Sequence, residues 1–147
     1  MKPKPHLFYF ANPRGSHRYN ITSLVRVGFE VTCYELSDAE AIAQTFRDKS
    51  IIVDLMIVDV GMPICDLHPE ELVDEKHPSI EIWESVCGIL DYTPPTIFIT
   101  HNLDRVAVAY GICETRSQIF MPTNNLSCIQ IANQVSDWYE VLCANPA

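Results

Sequence analysis

No stretch of this chain approaches the ~18–20 consecutive apolar residues that a membrane-spanning helix requires, so no membrane role is expected. Positive charge is scarce as well: Lys and Arg number 10 against 19 Asp and Glu, for a formal net charge of −9. Nucleic acid and anionic membranes are gripped through clustered Lys and Arg, so neither is expected as a partner. The charge suits solubility, or a protein partner with a basic patch. None of the six cysteines forms a C-x-x-C pair. No small-residue cleavage site follows the short apolar run in "MKPKPHLFYF", so no secretory signal is expected. The cysteines at 33, 65, 87, 113, 128 and 143 are then expected as reduced core thiols of a cytoplasmic protein. Internal repeats, low-complexity tracts and linkers are also absent.

What is present suffices for one globular domain. At 147 residues, 48% hydrophobic and 20% charged, the chain can bury most of the surface its unfolded form exposes, without a metal or disulfide staple. The expected domain covers 1–147, with a core of about 5–143 and a fraying tail, "ANPA".

Apolar patterning alternates between two periods. "HLFYF" (His6–Phe10) reads as a strand closed by the turn "ANPRG". Ile21, Leu24, Val25 and Phe29 recur at helical spacing. "EVTCYEL" is rich in β-branched and aromatic residues and reads as a second strand. Ser37 and Glu40 form a capping-box pattern ahead of a helix with Ala39, Ile42, Ala43 and Phe46 on one face. "LMIVDV" is apolar without alternation, as befits a strand covered on both faces. Ile82, Val86, Ile89 and Leu90 form another helical stripe, and "TIFIT" is a strand behind Pro94-Pro95. Asn102 is a candidate cap for a short helix through Val106 and Tyr110, stopped by Gly111. "SQIFMP" gives a fifth strand, and Asn125 is a candidate cap for a last helix bearing Cys128, Ile131, Ala132, Val135, Trp138, Tyr139 and Leu142. Such β-α alternation implies an α/β fold, a parallel sheet with helices on both faces.

Open parallel sheets place their sites at the carboxyl ends of the strands, near the point where strand order reverses. The residues there are Ala11-Asn12-Pro13, Ser37-Asp38, Asp59, Thr100-His101 and Met121-Pro122. Asp59-Val60-Gly61-Met62-Pro63 resembles the D-x-x-M-P that follows the third strand of response-regulator receiver (CheY-like) domains. Thr100 matches the family's hydroxyl residue at the end of strand four, and Met121-Pro122 stands where it has Lys-Pro. The resemblance covers nearly the whole chain. It implies a flavodoxin-like, three-layer α-β-α sandwich whose five parallel strands run in the order 2-1-3-4-5. It implies turns at Gly61, Met62, Pro63 and Pro122, with a cis proline among the candidates. It also implies a role in two-component signalling or a phosphorelay, no bound cofactor, and a protein partner: a signalling kinase, an output domain or a second copy. In the family, the helix before strand five, that strand and the last helix carry output and dimer contacts. Tyr110, Ile112, Ile119 and Trp138 fall in that region here.

Receivers accept a phosphoryl group on the aspartate, and that chemistry has strict electrostatic needs. Mg²⁺ must neutralise charge as an anionic carboxylate meets an anionic phosphate. In the family the ion is held by the aspartate and an acidic pair after strand one, while the lysine pairs with the phosphoryl oxygens. In this chain the acidic-pair position reads Phe10-Ala11-Asn12-Pro13, without a carboxylate. Mg²⁺ prefers hard anionic oxygens, and Met121 offers no charge. An atypical receiver that signals without ordinary phosphorylation is therefore expected, with Ala11, Asn12, Thr100, His101 and Met121 as a vestigial pocket around Asp59. Asp59 itself reads either as a residual acceptor or as a carboxylate capping the turn at Gly61. Thr100 and His101 read as local hydrogen-bonding and solvated loop residues respectively.

Other features are weaker. Residues 64–78 form an acidic insertion before the third helix, carrying Asp66, Glu70, Glu71, Asp74 and Glu75; it reads as a pocket cover, a docking surface or a tolerated loop. Cys65-x-x-His68 with His77 is only a partial zinc set, and no metal site is expected. Arg14-Gly15-Ser16, with Arg18 and Arg26 nearby, is either a solvated face or an anion-binding helix start. Three competing functions are defined by their signatures. A phosphorylatable receiver with an unorthodox site at Asp59 needs a surrogate for the missing cation. A flavodoxin-like binder of a small ligand or nucleotide wants a Gly/Ser/Thr-rich loop after strand one. A dehalogenase-like phosphatase wants a second acid where Gly61 stands.

Overall fold

The computed structural model describes residues 4–11, 17–35, 38–59, 78–100, 118–122 and 126–144. Among the described residues five strands are present: β1 (His6–Ala11), β2 (Glu30–Glu35), β3 (Leu55–Asp59), β4 (Thr96–Thr100) and β5 (Gln118–Pro122). All pair in parallel, in the order β2-β1-β3-β4-β5 expected from the resemblance. The described helices are α1 (His17–Arg26), α2 (Ala39–Asp48), α3 (Pro78–Leu90) and α4 (Cys128–Ala144). α2 packs beside α3, and α1 beside α4. The helix proposed from Asn102 and the 64–78 insertion lie outside the described residues, Pro78 apart.

The two faces of the sheet bury different side chains. Phe8, Phe10, Met56, Val58 and Phe98 meet Ala39, Ala43, Phe46, Trp83, Val86 and Leu90 from α2 and α3. Leu7, Tyr9, Leu55, Ile57, Ile97 and Ile99 meet Leu24 of α1 and Ile131, Ala132, Val135 and Leu142 of α4. This is why "LMIVDV" lacks alternation: successive residues of β3 face opposite apolar layers. Each large side chain so buried contributes about 1.5–3 kcal/mol. Within the first layer the Trp83 indole donates to Thr96 Oγ1 at 3.1 Å, and that hydroxyl donates to the Pro94 carbonyl at 2.8 Å. The chain satisfies the polar atoms of a buried indole and a buried threonine.

Three helices end on a left-handed residue. After α1, the Phe29 amide bonds the Leu24 carbonyl and the Gly28 amide the Val25 carbonyl, with Gly28 at φ 112°. This Schellman arrangement turns Phe29 back onto Leu24. Phe29 therefore joins the core from beyond the helix end rather than from its face, and Val25 is exposed. α2 ends the same way through Ile51 to Phe46 and Ser50 to Arg47, with Ser50 at φ 55°. Asp91, at φ 67°, closes α3 by bonding the Cys87 carbonyl, and its carboxylate meets Arg47 at 3.1 Å on the exposed surface. An ion pair so open to solvent is worth little.

Helix starts also differ from expectation. α2 begins where expected, but Asp38 occupies its N-cap without a side-chain cap bond, and Ser37 lies outside the described residues. A reciprocal capping box is formed at α4. The Ser127 amide donates to Gln130 Oε1 at 2.8 Å, and the Gln130 amide to Ser127 Oγ at 3.2 Å. The reduced-core-thiol expectation needs correction too. Cys33, Cys87 and Cys128 are half-buried and Cys143 is exposed, while Cys65 and Cys113 lie outside the described residues. Helical and strand periodicity places these thiols at the margins of the apolar layers rather than within them.

Candidate functional site

The carboxyl edge of the sheet gathers the ends of the central strands. Asp59 closes β3, with Ile99 as its register partner on β4. Ala11 closes β1, and Thr100 closes β4 opposite Pro122. Because β1 leads back to β2 on one side while β3 leads on to β4, strand order reverses between β1 and β3. Asp59 stands beside that switch point, where open α/β sheets place their ligands. Asn12, Gly61, Met62, Pro63 and His101 lie outside the described residues. So do Cys65, His68 and His77, and among the described residues no group of three or more His, Cys, Asp or Glu could hold a metal ion.

The sequence reading passed over one acid. Glu35 ends β2 in register with Ala11, and so lies at the same edge. Its signal was its place as the last strand residue before the turn. Lateral strand spacing puts its backbone two strands, roughly 9–10 Å, from that of Asp59.

Met121 is placed most informatively. Its side chain is 1% exposed and belongs to the apolar layer that α1 and α4 cover. Its neighbours in that layer include Ile99, its register partner, and Ile119. The position where the resemblance calls for a lysine is thus filled by a thioether packed in hydrocarbon. Beyond it, β5 continues through Pro122. No peptide bond among the described residues is cis, so the strand runs on where a cis turn was a candidate for Pro122.

Of the residues assigned to an interaction surface, Ile119 is buried and cannot meet a partner, because the pleat of β5 turns it into the same layer as Met121. Trp138 of α4 is 38% exposed, and Val141, one turn further on, is 47% exposed. Tyr110 and Ile112 lie outside the described residues. Elsewhere, burial pushes the Cys87 thiol up to about 11, with nearby Glu84 adding to the rise and a hydrogen bond to Thr93 opposing it. Burial likewise raises the Tyr34 and Tyr139 phenols. None of these groups belongs to the edge that holds Asp59.

No family model matches the chain, and no curated protein matches it in sequence. Solved structures do match its fold. A response regulator receiver protein from Sinorhizobium medicae WSM419 is similar over 96% of this chain and 98% of its own, at 13% identity and a TM-score of 0.56. A CheY-like response regulator receiver domain protein from Methanospirillum hungatei JF-1 covers the same shares, at 11% identity and a TM-score of 0.57. The signal receiver domain of a putative Luxo repressor protein from Vibrio parahaemolyticus covers 96% and 94%, at 10% identity and a TM-score of 0.54. Likeness at such low identity establishes the fold: this chain has the CheY-like receiver fold. No helix among the described residues is long and apolar enough to cross a membrane.

Proposed function

We propose that this receiver fold serves as a single signalling module that acts by binding another protein, without Mg²⁺-dependent phosphorylation of Asp59 and without catalysis of its own. The observation that carries the reading is the burial of Met121 in the α1–α4 layer. A phosphoryl group on Asp59 would lack the cation that offsets its charge. Ala11 at the end of β1 brings no carboxylate for a metal either. Losing both electrostatic elements removes the main source of stabilisation for phosphoryl transfer. Asp59 then remains as the turn-forming carboxylate of a vestigial pocket.

The partner is a protein, either a kinase or output domain of a cytoplasmic signalling system or a second copy of this chain. Trp138 and Val141 on the exposed side of α4 supply the apolar contacts, since an exposed tryptophan is the kind of residue that anchors interfaces. The deciding experiment is intact-mass measurement after incubation with acetyl phosphate and Mg²⁺, beside an Asp59→Asn control. No phosphoryl adduct is expected on either protein. An adduct on the native chain that the Asp59→Asn control lacks would establish an unorthodox but active receiver instead.

A further inference from the structure

At the opposite edge of the sheet, where β1, β2 and β3 begin, lies an open groove of about 610 Å³. Its volume falls within the ~300–1,000 Å³ of small-ligand sites. It is built by segments far apart in sequence: residues entering β1 and β2, Asp54 just before β3, and one side of α4 from Ser136 to Cys143.

Three properties of the lining converge. Half-buried Tyr139 supplies the aromatic wall, backed by Phe29, which is 3% exposed and meets it edge to face with centroids 5.6 Å apart and planes at 74°. Two carboxylates, Asp54 from the sheet side and Glu140 from α4, share the groove. Neither has a cationic partner at ion-pair distance among the described residues. Asp54 is fixed in place, because its Oδ2 accepts the His6 amide at 2.7 Å while its own amide donates to the His6 carbonyl at 2.9 Å. The one cation in the lining, Lys4, is exposed to solvent. Burial raises the Tyr139 phenol, and Cys143 and the Asp54 charge add to the rise.

We propose that this groove binds a small organic cation, an ammonium group carried on an apolar body. The ammonium is recognised by Asp54 and Glu140, through charge-assisted hydrogen bonds. The body lies against Tyr139, whose ring also attracts the cation. The site is independent of Asp59, which lies at the other edge of the sheet. It shares α4 with Trp138, so its occupant touches the helix that carries the proposed partner surface.

The test is a titration of the ¹⁵N-labelled chain with 2-phenylethylamine and, separately, with 3-phenylpropionate, which has a similar body and the opposite charge. The amine is expected to shift the amide resonances of Gly28, Phe29, Asp54 and Ser136 through Cys143 saturably, and the carboxylate to leave them in place. Asp54→Asn keeps an oxygen for the His6 amide but removes the charge; it is expected to weaken the amine about tenfold, the order of one charge-assisted hydrogen bond. Glu140→Gln, at an exposed position that folding does not depend on, is expected to weaken it about threefold. Equal responses to the two probes, shifts that never saturate, or amine binding untouched by Glu140→Gln and by a folded Asp54→Asn would each overturn the proposal.

Discussion

Replacing Met121 by lysine tests whether the end of β5 is sealed. The native side chain is 1% exposed and is packed in the layer of Ile99, Ile119, Ile131 and Val135. An ammonium held in that hydrocarbon must shed its proton. Lowering a lysine pKa from about 10.4 to 7 costs about 1.36 kcal/mol per unit, so the variant should lose at least about 4–5 kcal/mol at pH 7. That is a large fraction of the ~5–15 kcal/mol that holds a domain together. Met121→Leu conserves volume and should cost less than about 1.5 kcal/mol. The assay is urea unfolding followed by far-ultraviolet circular dichroism at pH 7, 8 and 9. The buried lysine has a folded pKa below its unfolded one, so the unfolded chain binds more protons and stability rises with pH. The deficit of Met121→Lys relative to Met121→Leu should therefore shrink by about 1.4 kcal/mol per pH unit, and above the unfolded pKa near 10.4 fall to the smaller cost of a buried neutral amine. A deficit under about 1 kcal/mol with no pH slope would refute the reasoning, since the ammonium would then have reached water. The strand end would open onto a polar pocket, and the principal support for a receiver without phosphorylation would be gone.

Thr96→Val strips the partner from the Trp83 indole and from the Pro94 carbonyl; the two unpaired buried groups should cost about 2–4 kcal/mol, read as a lowered urea midpoint. A double-mutant cycle with Trp83→Phe should show coupling, and strict additivity would mean that the hydrogen bond carries no weight. Ser127→Ala removes half of the α4 capping box and should cost about 1 kcal/mol, or a melting temperature lower by about 2–4 °C. Ser50→Gly relieves a left-handed residue without losing a core contact and should raise stability by about 0.5–1 kcal/mol by the same measurement; a loss would mean that Ser50 holds the α2 terminus by other means. With iodoacetamide at pH 8, exposed Cys143 should be alkylated well before Cys87, whose thiol is half-buried and pushed up to about 11; peptide mapping showing the reverse order would contradict this.

Most of the strands were legible as short apolar runs with no helical spacing, which a sheet covered on both faces leaves uninterrupted, and β2 was legible from its β-branched and aromatic residues. The stripe Ala39, Ile42, Ala43, Phe46 was legible for the matching reason. Val25 misled because an apolar residue at helical spacing need not fall within the arc that the sheet covers. Helix ends were harder to read. Only five glycines are present, and at α2 and α3 the left-handed position is held by Ser50 and Asp91, which carry no glycine signal. At α4 the capping bonds run between Ser127 and Gln130, while Asn125 lies outside the described residues. At the candidate site, the identity of Asp59 and Met121 was plain, but the burial of Met121 depends on which way β5 faces, and that is fixed by pairing with β4. The groove at the other edge left no local motif, since its walls come from residues 4 to 143.

The division of the core also sorts the chromophores. Phe8, Phe10, Phe46, Trp83 and Phe98 share the α2–α3 layer, where Phe8 stands 4.7 Å from Phe10 and Trp83 stands 5.1 Å from Phe98, all edge to face. The other tryptophan, Trp138, sits on α4, half in solvent, beside the helix face that closes the opposite layer. Each side of the sheet therefore carries one indole, in contrasting surroundings. Trp83→Phe leaves an emitter that reports the partner surface and the groove side of α4; Trp138→Phe leaves one that reports the aromatic layer under α2 and α3. A pair of single-tryptophan proteins made in this way would let binding at α4 and loosening of the far side of the sheet be followed as separate optical signals.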